Sequence, residues 1–264
     1  MNAARVGGIG FFAPGLPDWP STRAFLREEG LRMPGVERPP APAWLAPTER
    51  RRLTPTLRLA LGVAAEAMGG LASARALGER ACSVFAAVDG DMDIFDALCT
   101  ALAQPGRPVS PTQFHNSVHN APAGYWHQAA GWHGASVSLS GGEGSFALGL
   151  LDALTRVDEG RDCLLVCYDN AFPEILDWVR PGAGPLGCAL WLRPVRDLQA
   201  GPILEGAAIG ETAPERLPEP QREALRLLSP AGAALGLLHP LATGTAGRVA
   251  LPMDEGQSLC LNLR

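Results

Sequence analysis

The chain has 264 residues, of which 47% are hydrophobic and 19% are charged, so it can bury a substantial core and is not a disordered protein. The formal net charge is −5, which argues against nucleic acid as the main partner. All 22 basic residues are arginine, and the absence of lysine excludes Schiff-base chemistry and a P-loop lysine.

The N-terminal segment MNAARVGGIGFF resembles neither a signal peptide nor a membrane span. Its apolar run is too short for a signal sequence, and no stretch of the chain approaches the roughly 18 uninterrupted apolar residues of a membrane helix. We therefore expect a cytoplasmic protein without a membrane span. The six cysteines lie in apolar segments and form no CxxC pair, which predicts buried free thiols and neither a disulfide framework nor a zinc site.

The first part of the chain begins with a predicted strand over residues 5–12, which ends at a turn signal. A proline-rich excursion follows over residues 16–52, with a short helix near residues 21–29. Thr54 is then a suitable N-cap, and Pro55 fits the first turn of a helix. That helix has an apolar face at helical spacing, formed by Leu57, Leu61, Ala64, Ala65 and Met68.

The remaining predicted elements alternate between strands and helices. They are a strand at 82–88, a helix at 91–102, a polar loop at 108–116, a helix at 120–130, a strand at 135–139, a helix at 144–157, strands at 163–168, 186–192 and 202–209, and a helix at 220–228. This alternation predicts βαβ units and a mostly parallel sheet. The pattern after Ser229 predicts no element.

Residues 109–170 carry the motifs from which we infer a family. They contain SPTQF at 110–114, SVHNAPAG at 117–124, a glycine-led strand over 134–139, and then the tight turn SGGEGS at 140–145. In order and spacing this segment resembles the N-terminal half of β-ketoacyl synthases of the thiolase fold. The SPTxF…SVHNAxAG run is most similar to the short chain length factor type found in aryl polyene pathways.

The resemblance covers about residues 5–195. It implies an α/β, thiolase-like half-fold, with a mixed sheet layered with helices. We expect a single domain over residues 1–264, whose tail from about residue 196 stays unassigned.

Glu143 decides the function that the resemblance implies. Counting from Gly134 through the strand, the position of the family's nucleophilic cysteine falls on Glu143. A carboxylate cannot form the thioester that holds the growing acyl chain. The C-terminal half that supplies two catalytic histidines in the family is not recognisable, and His239 in HPLATGT fits neither the spacing nor the surroundings of a family histidine.

The resemblance therefore implies a non-catalytic subunit that pairs with an active, full-length β-ketoacyl synthase as a heterodimer. Acyl carrier protein would be an indirect partner, no cofactor is implied, and the chain alone would form a homodimer or be poorly soluble. Two rival functions stay open: a hydrolase or decarboxylase of carrier-bound acyl groups that uses Glu143, and a stand-alone acyl-binding module. For Glu143 we favour helix capping and filling of the vacated pocket over acid/base chemistry.

The predicted pocket and interface residues surround this turn and the preceding motif. The interface is expected near residues 135–139 and 115–124, and the candidates are His115, Asn116, Ser117, His119, Asn120, Gly124, Ser140, Gly142 and Glu143.

Other chemistry in this region is weakly supported. His115 and His119 could bind a metal if helical, together with His127 or His133, but their polar neighbours favour a loop. Ser140 and Ser145 lack the GxSxG elbow of a nucleophilic serine.

Overall fold

The computed structural model describes residues 3–28, 38–77, 81–195, 200–254 and 256–264. The strands are β1 (Ala4–Phe12), β2 (Ala81–Ala86), β3 (Ser136–Leu139), β4 (Asp162–Asp169), β5 (Leu186–Pro194), β6 (Ile203–Gly210), β7 (Gly247–Pro252) and β8 (Ser258–Leu263). The helices are α1 (Trp19–Leu26), α2 (Pro47–Arg50), α3 (Pro55–Ala67), α4 (Leu71–Arg75), α5 (Met92–Ala103), α6 (Pro111–Asn116), α7 (Ala121–Ala130), α8 (Ser145–Asp158), α9 (Pro220–Arg226) and α10 (Leu235–Thr243). Across the described ranges, no helix has both the length and the apolar character needed to cross a membrane.

The strands form one sheet in the order β3-β2-β4-β5-β1-β6-β8-β7. β2 pairs in parallel with β3 and β4, and the pairs from β4 to β7 across the rest of the sheet are antiparallel. The mixed sheet and the α/β class are confirmed, whereas the mostly parallel sheet is wrong. Antiparallel neighbours need no helical crossover, and β4 indeed reaches β5 through a segment that contains only a short 3-10 turn.

Helices cover both faces of the sheet. Successive residues of β4 face opposite sides, so Cys163 and Leu165 enter one core while Leu164 and Val166 enter the other. The first core lies beneath α1, α8 and α10, and the second lies beneath α3 and α7. Since β4 is covered on both faces, its sequence is a continuous apolar run rather than an alternating one.

The glycines of the VGGIG segment allow α3 to lie directly on β1. A Cβ atom on Gly8 would overlap the carbonyl oxygen of Ala67, and one on Gly10 would overlap that of Val63. Both carbonyls belong to α3, so only glycine fits at these two positions of the strand.

The start of α3 also confirms the predicted cap, because the Thr54 hydroxyl accepts a hydrogen bond from the Leu57 amide at 3.1 Å.

Two expectations about loops are corrected. Residues 111–116, expected as part of a polar loop, form α6, because Ser110 caps the helix and Pro111 occupies its first turn. The tail after Ser229 is ordered and apolar: it forms α10, β7 and β8, and β8 pairs with β6. The short helix near 21–29 is confirmed as α1, although its expected last residue, Glu29, lies outside the described residues.

The cysteines are free thiols, as expected, but they are not all buried. Cys82, Cys163, Cys167, Cys188 and Cys260 are buried, whereas Cys99 is exposed. Cys99 lies on α5, of which Ile94 is the one buried residue, so the outer face of this apolar helix faces solvent. The prediction is wrong for Cys99 because the apolar pattern of α5 does not reflect burial within the chain.

Candidate functional site

The carboxyl ends of β2, β3 and β4 lie at the same edge of the sheet, because these three strands are parallel. Three segments leave the sheet there, at residues 87–91, 140–145 and 169–172. Crevices at the carboxyl ends of parallel strands are common positions for binding sites in α/β proteins. We call these three segments the strand-end site.

A tight elbow between β3 and α8 carries Glu143. Gly142 has a φ of 55°, a conformation that favours glycine, and residues Gly142–Gly144 form a single 3-10 turn. The hydroxyl of Ser145 accepts from the Gly141 amide at 3.0 Å and donates to the Gly142 carbonyl at 2.7 Å. Ser140 fixes the other side of the turn by donating to the Val88 carbonyl at 2.9 Å.

The side chain of Glu143 points away from α8. It is 71% exposed, and its Oε1 accepts a hydrogen bond from Nη2 of Arg180 at 2.9 Å. The N-cap of α8 is Gly144, where no side chain makes a capping bond. The interpretation of Glu143 as a helix cap that fills a vacated pocket is therefore wrong, because the 3-10 turn places the residue before the N-cap and directs its carboxylate outward.

Arg180 connects the elbow to the rest of the strand-end site. Its Nη1 lies 3.8 Å from Oδ2 of Asp89, which follows β2. Its guanidinium carbon lies 5.7 Å from the centre of the Phe172 ring, which follows β4. One cation thus contacts all three segments, and no sequence motif pointed to Arg180, because its acidic partners lie far away in the chain.

Asp169 is a buried carboxylate at the end of β4. Its side chain accepts from the Val88 amide and from the Ala231 amide, both at 2.9 Å. Burial outweighs these two donors and the nearby Arg180, and it raises the pKa of Asp169 to about 7. The sequence analysis did not single out Asp169, although an aspartate that ends a wholly apolar strand is a usable signal.

A cleft of about 340 Å³ opens beside Glu143. Its lining combines one carboxylate and two guanidinium groups with small and apolar residues: Glu143, Arg180, Arg226, Leu227, Ser229, Pro230, Ala233 and Pro252. Arg226 is held at the cleft by the carboxylate of Glu223, with Nε to Oε2 at 2.9 Å. The cleft has charged side chains and enough room for an acyl group, but none of its lining residues is a cysteine. It therefore could not bind an acyl group as a thioester.

The other predicted residues lie around α6 and α7. His119 links this region to the strand-end site, because its Nε2 lies 3.1 Å from the Ala87 carbonyl oxygen. Asn116 is buried, donates to the Arg52 carbonyl at 3.0 Å and accepts from the Tyr125 hydroxyl at 3.1 Å. Asn116 therefore supports the fold and is not available to a partner or ligand.

An open groove of about 440 Å³ runs along α6 and α7. It contains three of the predicted residues, His115, Asn120 and Gly124. Two large apolar side chains that also line it, Phe114 and Val118, are 66% and 51% exposed. Ser117 is exposed as well, and its hydroxyl donates to the Phe114 carbonyl at 2.8 Å.

The histidines do not form a shared metal site. His127 contacts the hydroxyl of Ser83 through Nε2 at 2.7 Å, and burial lowers its pKa. His115 stacks edge-on against Tyr125, with 6.1 Å between ring centres. Within the described ranges, no group of three or more histidine, cysteine, aspartate or glutamate side chains could hold a metal ion.

Comparisons with known proteins identify the family. No curated protein matches the chain. One similar solved structure is a chain of the ketosynthase ApeO in complex with its chain length factor ApeC from Xenorhabdus doucetiae, at 22% identity, with 99% of both chains covered and a TM-score of 0.70. Another is the ishigamide ketosynthase/chain length factor, at 14% identity, covering 100% of this chain and 99% of that chain with a TM-score of 0.77.

A third similar structure is AntDE:AntF, a type II polyketide synthase acyl carrier protein in complex with its ketosynthase. It is 11% identical, covers 100% of this chain and 99% of that chain, and has a TM-score of 0.74. These likenesses show the fold, which is the thiolase-like fold of ketosynthases. The family model of the N-terminal domain of beta-ketoacyl synthases matches residues 25–228, and the chain therefore belongs to this family.

Proposed function

We propose that this chain is a non-catalytic subunit of the chain length factor type that pairs with a catalytically complete ketosynthase. The observation that carries the proposal is the elbow between β3 and α8. The position that corresponds to the family's cysteine holds Glu143, whose carboxylate is paired with Arg180 at 2.9 Å. Since a carboxylate cannot hold an acyl chain as a thioester, condensation would depend on a partner that supplies the cysteine.

The similar structures support a paired subunit. Two of them are ketosynthases with their chain length factors, and each matches this chain over almost the full length of both chains. A third contains an acyl carrier protein. We extend these features to this chain: a full-length ketosynthase is its direct partner, and acyl carrier protein is an indirect one. From the resemblance carried by the SPTQF and SVHNAPAG runs, we further propose that the pair acts in aryl polyene synthesis.

The proposed contact surface combines a free sheet edge with exposed apolar side chains. Among the described strands, β3 lies at the edge of the sheet, and an unpaired edge is a template for a strand of another chain. We define the α5–α6 surface as the exposed side chains of Phe95, Leu102, Phe114 and Val118. Exposed large apolar groups clustered on neighbouring elements are typical of protein contact sites. The groove along α6 and α7 adjoins this surface, so the subunit would help to shape the pocket that holds the growing chain.

Co-expression with a ketosynthase that is encoded beside this chain, and that has the catalytic cysteine and both catalytic histidines, tests the proposal. We expect a one-to-one complex by size-exclusion chromatography with light scattering. The complex should condense malonyl and acyl carrier substrates, and this chain alone should not. If this chain stays soluble and monomeric at high concentration and binds no ketosynthase, the paired role is contradicted.

The cleft beside Glu143 is the observation that favours the rival enzyme. It is large enough to admit an acyl group, and a carboxylate lies at its rim. Incubation of the isolated chain with acyl or malonyl carrier protein separates the two functions. Release of free acid or carbon dioxide by the isolated chain, lost in Glu143→Gln, would favour the hydrolase or decarboxylase.

A further inference from the structure

A second cleft lies at the opposite edge of the sheet from β3. It has a volume of about 440 Å³, within the range of small-molecule sites. One wall is the segment 212–218 that follows β6, another is α10, and the third is the start of β7. Among the described strands, β7 and β3 lie at the two edges of the sheet, and this cleft uses the start of β7, whereas the cleft beside Glu143 reaches Pro252 at the other end of that strand. The two clefts share no lining residue.

The cleft carries positive charge on an acidic protein. Arg216 and Arg248 both line it and are exposed, and neither takes part in an ion pair within the described part of the chain. Glu215 is the acidic lining residue, so the lining has a net charge of +1 with His239 neutral, whereas the whole chain has −5. Unpaired guanidinium groups present forked donors that match phosphate and carboxylate oxygens.

The two acidic residues adjacent in sequence to the 212–218 wall, Glu211 and Glu219, are exposed and do not line the cleft, and Glu223 further along the chain is already paired with Arg226. Its carboxylate accepts from Arg226 through both oxygens and from the Leu217 amide at 3.1 Å. These contacts hold the pKa of Glu223 down at about 2. Glu223 is therefore compensated mainly by Arg226, and Arg216 contributes only the last of the interactions that lower its pKa.

The inner wall adds one further polar side chain, that of His239. His239 is half-buried on α10, and burial and the nearby Arg222 lower its pKa. Arg222 is buried and paired with Glu28 at 3.3 Å. Hydroxyl groups of Thr212 and Thr245 complete the polar lining, while Leu217, Pro218, Pro240 and Val249 supply an apolar wall.

We propose that this cleft binds a small organic anion with a phosphate or carboxylate head group and a short apolar body. Arg216 and Arg248 hold the head group, and the apolar wall covers the body. The site is independent of the pairing with a ketosynthase, because it shares no residue with the α5–α6 surface or with the strand-end site.

Calorimetric titration of the full chain with phenyl phosphate and with hexanoate tests this site. At least one should bind saturably at about millimolar concentration or below, and the stronger one identifies the head group. Potassium chloride at matched ionic strength controls for screening, and benzyl alcohol supplies an apolar body without a charge. Benzyl alcohol binding as tightly as the anions would overturn the proposal, as would the absence of saturable binding by either anion.

Matched arginine variants locate the site. Arg216→Gln and Arg248→Gln should each weaken binding of the anion roughly tenfold or more, because each removes a forked donor. Arg161→Gln removes an exposed arginine outside the cleft and should leave the affinity unchanged within about twofold. All three positions are exposed, so the melting temperatures should agree. Equal loss in all three variants, or no loss in the two cleft variants, would overturn the assignment.

Discussion

Nη2 of Arg180 lies 2.9 Å from Oε1 of Glu143, although the two residues are 37 positions apart in the chain. The pair joins the elbow before α8 to the segment that follows β4. It provides a structural role for Glu143 that requires no catalytic chemistry. Because Glu143 is largely exposed, we expect the pair to contribute at most about 1 kcal/mol to folding stability.

Glu143→Gln separates a structural role from a chemical one. The amide keeps the shape and can still accept from Arg180, so the melting temperature should barely change and product output of the reconstituted pair should stay near the original. Loss of a general acid or base would instead reduce output by roughly 10²-fold or more. Arg180→Gln removes the same contact from the other side and is the matched control. A large rate loss in Glu143→Gln alone, without a melting change, would favour the enzyme.

Glu143→Cys tests whether the residue at position 143 is the only feature that prevents this chain from catalysing condensation. A thiol at this position could in principle accept an acyl group, but the family's catalytic histidines were not recognised in this sequence. We expect no condensation by the isolated variant, measured as product formed from malonyl and acyl carrier substrates. Intact-mass measurement should show whether the new thiol is acylated. Condensation by this single variant would mean that the chain holds the remaining catalytic groups.

Charged substitutions on the α5–α6 surface should disrupt pairing. Phe114→Glu and Val118→Glu place a charge on exposed apolar positions, so the fold should be retained while the complex with the ketosynthase weakens by roughly 10-fold or more. Ile209→Glu is the control, because Ile209 is 54% exposed and lies on β6, away from the β3 edge. Affinity is measured by titration of the purified partner. Equal weakening in all three variants, or none, would contradict the proposed surface.

Two carboxyls with raised pKa values, one half-buried and one buried, predict that stability falls as pH rises. Burial raises the pKa of Glu66, which accepts from the Phe11 and Trp19 amides, to about 7, and that of Asp169 also to about 7. The folded state therefore holds these protons more tightly than the unfolded chain. Their stabilising contribution is fully present below about pH 4 and is lost as pH rises through about 7.

Each pKa unit corresponds to about 1.4 kcal/mol, so the free energy of unfolding should decrease by up to a few kcal/mol through each of these two groups between about pH 4 and pH 8. Urea titrations at several pH values measure this slope. Glu66→Gln and Asp169→Asn each lose an acceptor and should be less stable overall, but each should flatten the slope. A slope that is unchanged in both variants would contradict the raised pKa values.

Gly8 is predicted to be intolerant of a side chain. A methyl group there would overlap the Ala67 carbonyl of α3, so Gly8→Ala should cost about 2–3 kcal/mol in the free energy of unfolding. Gly62→Ala is the matched control within α3, since a Cβ at Gly62 meets no atom within 4 Å. It should be neutral or stabilise by roughly 0.5–1 kcal/mol, because alanine favours the helix. Equal effects in the two variants would show that β1 and α3 can separate.

Local signals predicted most elements, but not which strands become neighbours. Thr54 and Pro55 marked the start of α3, and the continuous apolar run of residues 163–168 marked the strand β4. Ser110 and Pro111 carried the same signal for α6, and the surrounding polar residues concealed it. The antiparallel part of the sheet was missed because alternating strands and helices do not specify pairing direction.

The sequence by itself determined the family, the order of the main elements and the place of Glu143 at a strand–helix elbow, because these depend on short motifs and periodic patterns. Only the tertiary structure decided what surrounds that elbow. Arg180 reaches Glu143, and Asp169 reaches the Ala231 amide, across 37 and 62 residues of chain. Such contacts depend on how the helices close over the sheet, since polar groups removed from water take whichever partner the packing brings within hydrogen-bond distance.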